Sequence, residues 1–205
     1  VSKSSKSVNI ILHFSRFFDK LTPMKTQKLL LLSCCAPCSI GVIHKLHKQG
    51  IDFTVLFYNP NIRPKTEYQK RLQENRHICE ELSVPFLELP YDPESWEAET
   101  RGLENEPEHG KRCDKCFFLR LKKTAEFAKK NGFTSFTSVL GISRFKDFNQ
   151  VCRAGLKASE EIGIPYDLTN WRKNGGLEYA ERLAKEKNLY RQKYCGCKPK
   201  SDLGG

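Results

Sequence analysis

Short apolar stretches alternate with longer amphipathic ones along most of this 205-residue chain, and that alternation limits the fold more than any other feature. Lys28–Ser33 reads as a strand, Ser39–Gln49 as a helix stopped by Gly50, and Phe53–Tyr58 as a second strand. After the loop Asn59–Lys65, Thr66 caps a helix that runs through Leu82 and is ended by Ser83–Pro85. Phe86–Leu89 is a third strand, and the charged stretch Tyr91–Arg112 is partly helical around Pro93–Arg101. Helix over Asp114–Asn131, strand over Phe133–Val139 and helix over Lys146–Ile162 follow, then a short strand at Tyr166–Thr169 and a helix over Leu177–Asn188. Strands that alternate with helices predict an α/β domain built on a doubly wound parallel sheet. Right-handed crossovers then bring the loops Cys34–Ser39, Tyr58–Lys65 and Leu140–Lys146 to the carboxyl edge of that sheet, where open α/β folds carry their sites.

The organisation is a single catalytic domain over residues 28–205, with a cysteine-rich C-terminal tail, preceded by an appendage over residues 1–27. In the appendage Phe14, Phe17, Phe18 and Leu21 have the rough spacing of a short docked helix. Met24-Lys25 opens directly into the first strand, which leaves open a natural start at Met24 with Val1–Pro23 an upstream extension. Hydrophobic residues make up 39% of the chain, enough for a core. The longest apolar run, Leu29–Leu32, falls far short of the ~18–20 residues of a membrane span, so a soluble protein without a membrane partner is expected. A net charge of +11 favours a polyanionic partner, because each cation that meets a phosphate releases a counterion.

Nine cysteines carry the chemistry. No secretory signal precedes them, their number is odd, and the adjacent pair Cys34-Cys35 and the tight C-x-x-C and C-x-C spacings suit structural bridges poorly. Metal or redox cysteines in a reducing, cytoplasmic compartment are expected. Ser33-Cys-Cys-Ala-Pro-Cys-Ser39 falls where the first strand turns into the first helix, the place of the glycine-rich phosphate cradle in nucleotide-binding α/β proteins. The layout is therefore that of the PP-loop or HUP-like proteins with a cysteine-rich turn in place of the phosphate loop. Arg112-Cys113-Asp-Lys-Cys116 opens another helix, and C-x-x-C suits a corner of a zinc site, half of an iron–sulfur site or a dithiol. With Cys34 and Cys35 it completes the four thiolates of a [4Fe–4S] cube; adjacent cysteines chelate one zinc awkwardly but reach different irons easily. Cys195-Gly-Cys197, near the terminus on a segment read as mobile, suits either an electron-exchanging thiol pair or two further metal ligands. Cys79 and Cys152 fall on helices and read as packing residues, and the histidines show no ligand spacing.

Polar residues gather at the same predicted edge. Asn59, Asn61, Glu67, Tyr68 and Arg71 crowd the end of the second strand, and Ser143, Arg144 and Lys146 occupy the loop after the fourth. Basic and aromatic residues interleave again at Trp171-Arg-Lys173 and Tyr190-Arg-Gln-Lys-Tyr194, a mixture that binds phosphates and stacks on bases.

Taken together, Cys34-Cys-Ala-Pro-Cys38, Tyr58-Asn-Pro-Asn-Ile62 with Pro64 and Glu67-Tyr68, Arg112-Cys-x-x-Cys116, Ser143-x-x-Lys146, Gly175-Gly176 and Tyr190-Arg-Gln-x-Tyr-Cys-Gly-Cys197 resemble the QueH family of epoxyqueuosine reductases over residues 28–197. The resemblance implies reductive removal of the epoxide oxygen of epoxyqueuosine at the anticodon wobble position of tRNA, with an electron donor the sequence does not identify. It implies a [4Fe–4S] cluster on Cys34, Cys35, Cys113 and Cys116, no cobalamin, and a second metal ion such as iron beside the cluster, with Cys38 and Asp92 as its ligands. It makes Cys195 and Cys197 a redox-active pair. Two positions depart from the family pattern: Leu32 stands where a histidine is frequent, and the neighbourhood of Asn170, where a polar or acidic residue is usual, differs in detail. Lys146, Arg144 and Glu67 are all candidates to protonate the departing oxygen. The rivals are a tRNA sulfurtransferase of the PP-loop type, which needs Ser-Gly-Gly-x-Asp-Ser after the first strand, and a zinc-stabilised RNA-binding module.

Overall fold

The computed structural model describes residues 27–192 and 194–197, so the appendage, apart from Gln27, lies outside the described residues. Four strands, β1 (Lys28–Ser33), β2 (Asp52–Phe57), β3 (Phe86–Glu88) and β4 (Ser135–Ser138), form one sheet in the order β3-β2-β1-β4. All three pairings are parallel, with Leu30 opposite both Thr54 and Phe136. A parallel sheet must be covered on both faces, and the sequence shows it: Leu29–Ser33 and Phe53–Phe57 are buried without alternation. Helices α1 (Ala36–Lys48), α2 (Lys65–Glu81) and α6 (Gly176–Glu186) pack together, while α3 (Pro93–Thr100), α4 (Lys111–Lys130) and α5 (Phe148–Ile162) form a second group. The chain winds outward from β1 to β3 and returns to β4 on the other side of β1, so the winding direction switches beside β1. Among the described residues no helix is long and apolar enough to cross a membrane.

Several boundaries differ from the sequence reading. The first helix begins at Ala36 rather than Ser39, because Pro37 fits the first turn and Cys35, extended at φ −160°, serves as N-cap. Thr66 is not a cap, since α2 starts one residue earlier with Pro64 ahead of it. The α5 N-cap is Asp147, whose carboxylate accepts from Asn149 N, and the helix ends where Gly163 takes φ 72°. The fifth strand, Tyr166–Thr169, shrinks to a single bridge between Tyr166 and Phe136, with Asp167 N donating to Phe136 O.

Tyr166 is committed elsewhere. Its ring lies on the face of α5 at Gly155, and a Cβ built on Gly155 would fall 2.2 Å from Tyr166 Cε1. Its hydroxyl lies 3.2 Å from Ser138 Oγ, and burial raises its pKa. Gly155→Ala therefore gains helix propensity but overpacks the ring, and a net loss of about 1–2 kcal/mol is expected. A thermal melt should show a midpoint lower by roughly 2–8 °C; an unchanged midpoint would mean that the ring moves aside freely.

Candidate metal centre

The winding switch leaves a crevice at the carboxyl edge, and a cavity of about 410 Å³ occupies it. Its wall takes residues from the β1–α1 turn, the loops after β2 and β4, the start of α4 and the C-terminal tail, and six cysteines line it: Cys34, Cys38, Cys113, Cys116, Cys195 and Cys197. Cys35 stands directly behind, with its sulfur 3.9 Å from that of Cys34. The sulfurs of Cys34, Cys35 and Cys38 all lie within 4.8 Å of one another.

The turn that presents these sulfurs is held from below. Ser33 Oγ lies 2.6 Å from Ser39 Oγ and bonds to the side chain of Asn75, while Asn59 Nδ2 donates to Ser33 O at 3.0 Å. Ser39 Oγ donates to Cys35 O at 2.8 Å. The same carbonyl accepts from Cys38 N and Ser39 N, and Pro37 has no N–H, so this turn offers few amides for cradling a phosphate. The amides of Cys38 and Ser39 thus close the first turn of the helix.

On α4, Cys113, Cys116 and Arg120 are spaced i, i+3, i+7 and share one face. Arg120 is 1% exposed and carries its guanidinium to Asn59 Oδ1 and toward Tyr58 O. Lys146, half-buried, places Nζ 3.9 Å from Cys34 Sγ. Burial opposes its charge, but the thiols of Cys34, Cys195 and Cys38 outweigh that and hold its pKa above the usual range. Among the described residues neither cation has a carboxylate partner. Arg71 does: its Nε meets Glu67 at 2.7 Å, and Glu67 also accepts from Tyr190 OH at 3.0 Å.

Arg71 also fixes the tail. Its Nη1 donates to Cys195 O at 2.9 Å and its Nη2 to Tyr194 O at 3.2 Å, while Arg63 N donates to Gly196 O at 2.9 Å. Tyr190 N donates to Glu74 at 2.8 Å. The Tyr194–Cys197 segment, read from sequence as mobile, is strapped across the cavity instead, and Gly196 at φ 105° lets it turn there. Hydrogen bonding from Cys197 brings the Cys195 thiol down to about 5 against the effect of burial, with Lys146, Arg120 and Arg71 assisting. The same bond, with burial, pushes Cys197 far up. Cys34 is likewise lowered, chiefly by hydrogen bonds from Cys35 and Cys38, which are themselves raised.

The remaining residues singled out from sequence divide clearly. Asn59, Asn61 and Ser143 line the cavity with Arg71 and Lys146. Tyr68 is buried against Phe57 and Tyr91 and donates to Glu88 at 3.0 Å, which places it in the core behind the site. Arg144 points outward to an ion pair with Glu181 on α6. Asp92 caps α3, accepting from Ser95 N at 3.1 Å and from Ser95 Oγ, and it is not among the cavity-lining residues. Cys79 is in the core as expected, and burial lifts its thiol to about 12. Sequence reasoning missed Arg120 and Trp96, both lining the cavity, while Gln192 of the Tyr190–Tyr194 segment lines it too. Asn61 Oδ1, Arg112 Nε and Gln192 Oε1 are buried there without a partner among the described residues, as polar atoms facing a ligand would be.

A parallel α/β sheet whose carboxyl edge gathers cysteine sulfur beside cations that have no carboxylate partner among the described residues carries a site compatible with thiolate-bound metal. The profile of the family described as epoxyqueuosine reductase QueH matches residues 29–200, and the chain belongs to that family. An epoxyqueuosine reductase QueH of Histophilus somni is 47% identical over 176 residues, covering 85% of this chain and 72% of the relative. That of Thermotoga maritima is 33% identical over 172 residues, 82% of this chain and 88% of the relative. Among solved structures, a predicted subunit of tRNA methyltransferase from Methanocaldococcus jannaschii aligns with a TM-score of 0.54 and 12% identity, over 78% of this chain and 75% of that one; this likeness concerns the fold alone.

Proposed function

We propose that this chain removes the epoxide oxygen of epoxyqueuosine in tRNA, giving queuosine, with a [4Fe–4S] cluster held by Cys34, Cys35, Cys113 and Cys116. The observation that carries the proposal is the convergence of six cysteines from three separate stretches on one cavity in a member of this family. The residues fit such a group in charge as well as in donor type. Arg120 and Lys146 are cations without carboxylates, and thiolate-ligated iron–sulfur clusters are anionic. When bound, the cluster supplies single electrons at low potential. Cys38 remains beside Cys34 and Cys35 as a sulfur ligand for an adjacent metal ion such as iron.

Turning the epoxide into an alkene takes two electrons and two protons and releases the oxygen as water. Oxidation of a Cys195 thiolate and a Cys197 thiol to a disulfide yields two electrons and one proton, and the second proton comes from the Lys146 ammonium, so the pair and the lysine together balance one turnover. A reductant of thiol–disulfide or electron-carrier class then restores the dithiol. The thiolate character of Cys195 beside a protonated Cys197 suits such a pair. Of the three candidate proton donors, Lys146 alone lines the cavity; Glu67 is engaged by Arg71 and Tyr190, and Arg144 by Glu181. Lys146 thus protonates the departing oxygen. Lys146→Met should lower turnover per bound iron by roughly 100- to 10,000-fold, measured as queuosine formed in tRNA by nucleoside mass spectrometry. Turnover within threefold of the parent would remove Lys146 from this role.

Cobalamin has no part in this scheme, and a reducing cytoplasm suits both the exposed redox chemistry and a tRNA substrate. The decisive assay follows loss of one oxygen mass from epoxyqueuosine in tRNA under anaerobic conditions; no mass change with an iron-loaded protein would refute the reading. One observation favours a second reading. Sulfurs 3.9 Å apart match the edge of a tetrahedron with arms of about 2.3 Å, the geometry of zinc on thiolates. A zinc-stabilised RNA-binding module would then bind tRNA without altering it. The sulfurtransferase reading needs ATP, and the β1–α1 turn lacks the amides for it.

A further inference from the structure

We infer that Phe145 is a stacking platform for an unpaired RNA base next to the one entering the cavity. This rests on the reading of the cavity as a site for a base in tRNA and names a recognition element that reading does not contain. Among the described residues Phe145 is the most exposed large apolar side chain, at 73%. It also lines the cavity, so the exposed ring stands at the mouth and not on a remote surface.

Its backbone, in contrast, is held from several directions. Arg172 donates from Nε to Gly141 O at 2.6 Å and from Nη2 to Ser143 O and Lys146 O, binding the loop on both sides of Phe145. The His109 ring donates from Nε2 to Phe145 O at 3.0 Å, and Phe145 N donates to Ser143 Oγ at 3.3 Å. A fixed backbone that presents a bare aromatic ring to water spends little ordering entropy when a flat partner arrives. The partner's charge follows from the wall. Arg71, Arg112, Arg120 and Lys146 line the cavity against the single acid Glu108; with Arg71 held by Glu67 and Arg120 and Lys146 facing the cluster site, Arg112 and the chain's net charge of +11 favour an anionic partner such as RNA over a neutral or basic one. A cavity of about 410 Å³, part of which the cluster would fill, is too small for a duplex, so a base that enters it must be unpaired, with its neighbours at the rim. Aromatic rings beside cationic clefts bind unpaired bases through their π faces, with little sequence preference.

The test measures Kd for a stem–loop RNA carrying epoxyqueuosine in its loop, using Phe145→Ala, Phe145→Leu and Phe145→Trp in iron-loaded protein. Stacking lost on removal of an aromatic side chain corresponds to roughly a 5- to 150-fold weakening. Phe145→Ala and Phe145→Leu should both show it, Phe145→Trp should bind as the parent does, and the salt dependence of binding should stay unchanged. Alanine binding as tightly as phenylalanine would overturn the inference, as would rescue by leucine, which would reveal a generic apolar contact of the kind a protein partner uses. If the parent binds the RNA without reducing it, the functional reading fails while the Kd series still judges the platform. A parent that does not bind the RNA at all overturns the inference.

Discussion

Alanine at Cys34 should abolish the brown colour expected of an iron–sulfur protein and its turnover together, while alanine at Cys79 should leave both in place. Both cysteines are buried, at 5% and 0% exposure, so loss of a buried thiol is common to the two variants. Their surroundings differ. Cys34 has the sulfurs of Cys35 and Cys38 within 4.8 Å and Lys146 Nζ at 3.9 Å. Cys79 has core neighbours, and its thiol is raised to about 12 by burial with no cation to oppose it. Removing a group that only orients a metal ligand costs roughly 10–100-fold in affinity or activity, so removing a ligand should exceed about 100-fold. Cys79→Ala should lose about 1–2 kcal/mol of stability through its small cavity and keep its iron. Iron assay and anaerobic turnover on both variants decide the matter. Equal iron in the two proteins would dissociate Cys34 from any metal.

A second large effect is expected at Arg120, and its sign separates two roles. A guanidinium 1% exposed, with Asn59 Oδ1 and Tyr58 O as acceptors and no carboxylate among the described residues, is costly to bury in the metal-free chain. An anionic centre beside it removes that cost. Arg120→Met should therefore leave the midpoint of the metal-free protein unchanged or higher. In the loaded protein it should reduce iron retention and turnover by roughly 10–100-fold. The gain in melting temperature on loading should shrink accordingly. A purely structural arginine would behave differently: both forms would melt lower by the same amount, with iron content per folded chain unaltered.

How much of this was legible in the sequence depended on whether the determining contacts were local. The parallel sheet was, because Leu29–Leu32 is a continuous apolar run and Phe53–Phe57 is broken only by Thr54, the pattern of strands covered on both faces. The gathering of Cys34, Asn59 and Ser143 at one edge followed from right-handed crossovers and is what the cavity shows. Tyr166–Thr169 misled, because a β-prone stretch found its partner in Gly155 of α5 and extended only one bridge to β4. The capping role of Asp92 was legible but unread: it stands immediately before Pro93, where the sequence already suggested a helix, and its bond to Ser95 is a local N-cap contact. Arg120 left a usable signal that went unread: it stands seven residues after Cys113 and four after Cys116, on the face that carries both. Nothing local marks the strap of the tail, which depends on Arg71 reaching carbonyl groups more than a hundred residues away.

Anaerobic purification followed by a visible spectrum with iron, acid-labile sulfide and zinc counts tests the whole account most directly. Cysteine sulfur converging on a redox cluster predicts a brown protein that contains iron and sulfide in near-equal amounts, both lost in Cys34→Ala. A colourless protein with stoichiometric zinc and no sulfide would contradict it.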